Sequence, residues 1–356
     1  MKQKKSSSVK MRLTCAIIFI LYTYLYLSSF EADVLAVAQH VLSGGQTSYN
    51  YILAPIICTL VLYLMQIGVY AITRIGGRFH ALTYFPSFLI LTVLTDVPVD
   101  VRQLSLGAWW VIVPLVLLLW AGAVYMAKRL ELYEQEPRHD RWFSRSMWIN
   151  MAQLAGMVMI MLLFVNTNRL FHQRMRMENL MIQGKYEDAL LVGKRSLQTD
   201  SSLTMLRIAC LHRTGGMGEK LFTYPLVGGG KAMLPNGTSV EALRWKMMRF
   251  KNNRMPIDYK LCGLLLDKDL DRFVVELPKY YDSLQVSLPR HYREALTLYT
   301  HRRGTPILVF HDNVMDTDYQ DYQALAHKFA NPMERQTNLR DAYGKTYWYY
   351  YDYGNK

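Results

Sequence analysis

The chain has 356 residues, 51% of them hydrophobic and 19% charged, with a formal net charge of +13. An aromatic content of 13% excludes a disordered chain, and four cysteines exclude a disulfide-stapled scaffold. Residues 1–165 carry 13 Lys/Arg and 8 Asp/Glu, whereas residues 166–356 carry 28 and 20, so an apolar half precedes a polar one.

Five runs lack any charged side chain: Leu13–Phe30, Val34–Thr73, Phe79–Thr95, Gln103–Ala127 and Ser146–Asn168. A helix crossing a bilayer needs roughly 20 apolar residues, so runs of this kind exclude a wholly soluble protein. The predicted spans are about 13–30, 51–72, 79–95, 106–127 and 147–165. The second run is too long for one span. Its first part, with Val34, Val37, Ala38, Val41 and Leu42 on one face, predicts a helix lying in the interface. The third run contains Pro86 and is read as a kinked span, with a re-entrant segment as the alternative. The first run is read as a retained anchor, because its apolar stretch exceeds the roughly 7–15 residues of a cleaved leader.

Basic residues collect in short cytoplasmic loops. Lys2, Lys4, Lys5, Lys10, Arg12, Arg74, Arg78, Lys128, Arg129, Arg138, Arg141 and Arg145 all fall on one side of a five-span arrangement. The opposite short loops hold Arg102 beside Glu31, Asp33, Asp96 and Asp100. This pattern places the N-terminus in the cytoplasm and exports residues 166–356. Trp109, Trp110, Tyr125, Trp142 and Trp148 stand where an interfacial aromatic belt is expected. No charged residue lies deep in a span, which disfavours a coupled transporter. Gln66, Asn150 and Gln153 are expected to bond across helices.

The polar half is patterned for helices over Arg169–Ile182, Leu203–His212, Ser239 to about Asn252, Asp258–Asp269, Pro289–Arg302 and Tyr319–Phe329. Thr223–Thr238 reads as a Gly- and Pro-rich connection, and Ile307–Phe310 as a short strand or a buried loop. Gly184, Tyr186 and Ala189 resemble the helix-turn-helix corner of a tetratricopeptide repeat. There a Gly closes the first helix, a Tyr packs back and an Ala permits close helix approach. One period of 34 residues later lies Gly218, within the cluster Gly215, Gly216 and Gly218. The resulting expectation is an all-α protein. About five transmembrane helices over 1–165 are followed by a tetratricopeptide-like extramembrane domain over 166–356.

Chemistry is sparsely signalled. Gly228–Gly230 lacks the Gly-Lys-Ser/Thr ending of a phosphate loop. His311, Asp312, Asp316, Asp318 and Asp321 do not follow calcium-loop spacing, and helix capping accounts for most of them. Cys210 and Cys262 are read as buried thiols rather than a bridge, and the Tyr347–Tyr351 aromatics as packing for a terminal helix. The pair Glu31 and Asp33, just outside the first span, resembles the acidic pair of membrane glycosyltransferases that use lipid-phosphate sugars. Those enzymes normally have more spans.

Phe30–Tyr51 with its Gly44-Gly45 turn, Leu288–Leu296 and Tyr343–Tyr351 together resemble an uncharacterised family of Bacteroidota multi-pass membrane proteins. The resemblance implies a Gram-negative host with the polar half in the periplasm, and it brings no activity. It also suggests Asp282-Ser283-Leu284 as an O-glycosylation acceptor. The expected function is an inner-membrane protein presenting a helical-repeat domain to a periplasmic protein partner. Its other partner is the lipid bilayer; nucleic acid is not expected, and no catalytic residue, cofactor or metal is assigned. A glycosyltransferase-like enzyme using Glu31 and Asp33 and a transport accessory subunit are the alternatives.

Overall fold

The computed structural model describes residues 2–98, 101, 105, 107–133, 145–233, 257–281 and 288–354. Every regular element among them is helical. The predicted helix beginning at Ser239 and the Asp282–Leu284 acceptor lie outside the described residues. The chain divides into two compact units, Met1–Asn168 and Arg169–Lys356.

In the first unit α1 (Lys2–Leu25) continues through a π-turn at Tyr26–Phe30 into α2 (Ala32–Leu42). Then follow α3 (Leu53–Thr73), a 3₁₀ segment at Gly77–Tyr84, α4 (Phe85–Thr95), α5 (Trp109–Tyr133) and α6 (Arg145–Phe164). Among the described residues, four helices are long and apolar enough to cross a membrane: Val9–Phe30, Leu53–Thr73, Trp109–Leu130 and Arg145–Phe164. Their outward faces carry Leu21, Ile57, Val61, Val111, Leu118 and Leu163, all exposed. On a soluble protein such contiguous apolar surface would be an aggregation hazard; in lipid it is the ordinary exterior. Only 6% of the apolar stretch of α5 is buried inside the protein.

The run 79–95 is not one long helix. Gly77 at φ 57° opens the 3₁₀ segment, and α4 starts afresh at Phe85. Pro86 therefore sits in a first turn, where its missing N–H has no partner to lose, and it kinks nothing. This broken segment packs against α1, α3, α5 and α6. Its irregular backbone finds hydrogen-bond partners on those neighbours. Asn150 Oδ1 accepts from the Ala81 N–H at 2.7 Å, and Asn150 Nδ2 donates to Gly77 O at 3.0 Å. The Trp120 indole donates to Leu82 O at 2.9 Å. Gln66 Nε2 donates to the Thr83 hydroxyl at 2.8 Å. Gln66 and Asn150 thus bond across elements, as the sequence suggests.

The second unit has a single apolar core. It contains α7 (Arg169–Ile182), α8 (Tyr186–Leu191), α9 (Ser201–Thr214), α10 (Met217–Lys220), α11 (Ile257–Leu266) and α12 (Leu270–Glu276). After these come α13 (Arg290–Arg302), α14 (Asn313–Lys328), α15 (Pro332–Tyr343) and α16 (Tyr347–Tyr353). One corner geometry occurs three times. A residue in the left-handed region ends α7 (Gly184, φ 76°), α9 (Gly215, φ 70°) and α11 (Lys268, φ 60°). In each case the next amide reaches back: Lys185 N–H to Leu180 O, Gly216 N–H to Leu211 O, and Asp269 N–H to Leu264 O, all at 2.9 Å. These bonds satisfy carbonyls that a helix end leaves open. The second turn is therefore at Gly215, not Gly218. Gly218 lies inside α10, where an added Cβ would stand 2.6 Å from Pro289 Cβ.

Helix α14 begins earlier than its acidic run suggests, because Asp312 Oδ1 caps it by accepting from the Val314 and Met315 amides. Ile307–Phe310 forms a loop, not a strand. Leu308 and Phe310 turn inward while Ile307 and Val309 are exposed.

Candidate functional site

The acidic pair at the end of α1 divides. Glu31 is buried at 2% exposure and follows directly on the π-turn, a feature common at functional positions. Tyr26 Oη lies 3.4 Å from Glu31 Oε1 and 3.2 Å from Thr95 Oγ1. The Thr95 hydroxyl donates to Leu91 O at 2.9 Å, so it accepts from Tyr26. The one phenolic proton is thus shared between the Thr95 hydroxyl and the Glu31 carboxylate, both of which accept from Tyr26. Burial lifts the Glu31 carboxyl from its ordinary 4.5 to about 7, against a smaller opposing effect of the Tyr26 bond. Asp33 is half-buried in the first turn of α2.

The repeat-corner residues are brought together. Gly184 closes α7, Tyr186 opens α8 half-buried against the core, and Ala189 is fully buried. The second helices of the three corners are short, with 6, 4 and 7 residues.

Gly228–Gly230 is filled by the protein's own carboxylate. The Gly230 N–H donates to Asp267 Oδ1 at 2.8 Å, and a Cβ on Gly230 would meet Asp267 Oδ2 at 2.6 Å. Two of the acids after His311 are likewise occupied. Asp312 caps α14 and pairs with Arg293 at 3.1 Å; Asp316 faces His301 at 3.2 Å and His311 at 3.5 Å. Among the described residues no group of three His, Cys, Asp or Glu is placed to hold a metal. Cys210 and Cys262 are free and buried, their thiols pushed up to about 12 by burial.

Sequence reasoning missed the densest polar network, on α13. Glu294, 1% exposed, accepts from His291 Nδ1 at 2.8 Å, Arg290 Nε at 2.8 Å and the Tyr347 N–H at 2.7 Å. Its backbone oxygen accepts from the Trp348 indole at 2.8 Å. The Phe222 amide lies 3.3 Å from His291 Nε2, which fixes the imidazole with its proton on Nδ1. Trp348 in turn packs at tilted and edge-on angles among Tyr319, Tyr322 and Tyr343. Lys268 Nζ donates to Gly354 O at 2.8 Å and stands over Tyr350. The whole arrangement joins the segment Leu288–Leu296 to the aromatic tail. The signal for it was a His-x-x-Glu spacing followed, some fifty residues on, by an aromatic cluster.

A family model described as "Family of unknown function (DUF6057)" matches residues 241–354, the stretch that contains His291, Glu294, Tyr347 and Trp348 of this network. No curated protein and no solved structure matches the chain.

Proposed function

We propose that the protein is a membrane-anchored scaffold. Its first unit crosses the cytoplasmic membrane of a Gram-negative, Bacteroidota-type host, and its second unit lies in the periplasm and holds a protein partner. The observation that carries this reading is the outward apolar surface of α1, α3, α5 and α6, joined by a continuous chain to a unit with its own closed core. The basic residues favour a cytoplasmic N-terminus, and the packed segment 77–95 serves as the fifth crossing that exports the second unit. The three corners support a tetratricopeptide-like arrangement, with truncated second helices. The exposed Ile307 and Val309, on a loop pinned by Tyr299 and Thr300, and the exposed Val314 in the first turn of α14 supply a docking edge for the partner.

Paired C-terminal fusions test the topology. Alkaline phosphatase fused after residue 356 is active and a green fluorescent fusion dark if the second unit is exported; the reverse result defeats the reading. Periplasmic crosslinking in the native host, compared between the wild type and Ile307→Asp, tests the partner.

The glycosyltransferase-like alternative draws on Glu31 alone. Its burial against Tyr26 and Thr95 suits a proton-holding acid, while the cavity between α4, α5 and α6 is lined by other residues.

A further inference from the structure

An apolar slot runs along α4, α5 and α6. It has a volume of about 140 Å³. Phe88 and Met161 form its buried floor, and Val116 and Ile160 stand at its mouth. Lining residues Phe85 to Thr92, Trp109 to Val116 and Met157 to Phe164 each cover about two helical turns, so the slot extends roughly 10 Å parallel to the helices.

Three features define its guest. First, the walls offer no unpaired polar atom. Thr92 is the one hydroxyl among the lining residues, and it donates to Phe88 O at 2.8 Å. Second, one end is fixed. The Trp109 indole donates to Asp96 Oδ2 at 2.7 Å and its ring packs 5.7 Å from that of Phe164. These residues mark the polar end of the spans, so the slot lies just inside the headgroup level. Third, the flexible thioethers Met157 and Met161 can adapt to a chain of variable shape. Apolar cavities of about 150 Å³ stay dry and accept hydrocarbon guests. Empty, this slot would forfeit dispersion contacts on every wall.

We propose that this slot binds one acyl chain of a bilayer phospholipid, with its headgroup at the Trp109–Asp96 rim. The assignment rests on the membrane reading above. Retention comes from shape, since hydrocarbon gains no hydrophobic free energy on leaving one apolar medium for another.

Native mass spectrometry of the full chain, extracted from its membrane in a mild detergent, tests the proposal. Val116→Phe fills the mouth. Val111→Phe is the control, placed on the same helix with 71% exposure and outside the slot. The wild type and V111F are expected to retain one phospholipid per chain, and V116F at least fivefold less. Equal retention by V116F and V111F, or none by the wild type, overturns the proposal. A wild-type dimer that V116F converts to monomer, without loss of lipid, also overturns it by making a second copy the occupant. If V116F does not accumulate, quenching of wild-type tryptophan fluorescence by phospholipids brominated along the acyl chain decides, and no quenching beyond that of wild type preloaded with the unbrominated phospholipid counts against binding. Resistance of the chain to alkaline carbonate extraction is measured in parallel. Extraction into the soluble fraction defeats the membrane reading, whereas a carbonate-resistant chain without bound lipid defeats the slot alone.

Discussion

The side chain of Glu294 accepts the backbone N–H of Tyr347, 53 positions further along the chain, at 2.7 Å, with both residues buried. This bond orders the aromatic terminal helix α16 against α13. Truncation by Glu294→Ala leaves a buried imidazole, a guanidinium and an amide without their acceptor, a loss of about 3–5 kcal/mol. Glu294→Gln keeps an acceptor oxygen and should cost less. Thermal unfolding, together with the rate at which protease releases the segment after Gly344, gives the order wild type, E294Q, E294A. An E294A protein as stable as the wild type would remove the network from any structural role.

The two kinds of glycine constraint separate by substitution. Gly184 has open space around its missing Cβ but a φ of 76°, so Gly184→Ala costs only the left-handed penalty of about 1–2 kcal/mol. Gly218 is not in the left-handed region, yet its Cβ would collide with Pro289 and approach Tyr292 Cζ to 3.3 Å. Gly218→Ala therefore carries an overpacking cost of about 1–3 kcal/mol. Gly184→Asn should restore part of the first loss, because Asn tolerates that backbone region. Gly218→Asn should be worse than Gly218→Ala. Chemical denaturation of the set distinguishes the two causes.

The Glu31 carboxyl binds its proton up to about pH 7 when folded and up to about 4.5 when unfolded. Between those values the folded state holds the extra proton, so stability falls as the pH rises. Its contribution is complete below about pH 4.5 and is lost by the time the pH passes 7, a change of roughly 3 kcal/mol. Glu31→Gln keeps an oxygen that accepts from Tyr26 but cannot titrate, and should flatten this part of the profile. Melting temperatures in detergent at pH 5 and pH 8, compared between wild type and E31Q, check it; an identical pH dependence in the two would refute the assignment.

Cys210 and Cys262 should resist maleimide in the folded protein and react fully in denaturant, because burial both blocks access and suppresses the thiolate. Peptide-resolved mass spectrometry reads each site separately. Rapid native labelling of either would contradict the buried core around α9 and α11.

Much of the helical pattern was legible because its cause is local. Apolar runs of about 20 residues declare α1, α3, α5 and α6 by length alone. The residues at Arg169–Ile182 and Pro289–Arg302 repeat at helical spacing. Gly184 announced its own turn through the backbone it permits. Lys268 did not, since a lysine at φ 60° is held there by contacts with Gly354 and Tyr350 that no local window contains. The break at Gly77–Tyr84 was equally hidden, because the groups that satisfy it come from Asn150, Trp120 and Gln66. Glu31 and Asp33 looked alike in sequence; the π-turn before Glu31 and the position of Thr95 set them apart.

The dependence of Ala81 on Asn150, 69 residues downstream, has a bearing on biogenesis. While the ribosome has not yet delivered α6, the stretch around Ala81 lacks the amide that completes its backbone bonding. Nascent chains halted before residue 150 should leave that stretch accessible to water-soluble thiol reagents at an introduced cysteine, and chains extended past residue 165 should shield it. On the proposed membrane reading, insertion would then finish in the middle of the first unit, with its shortest hydrophobic run the last to settle.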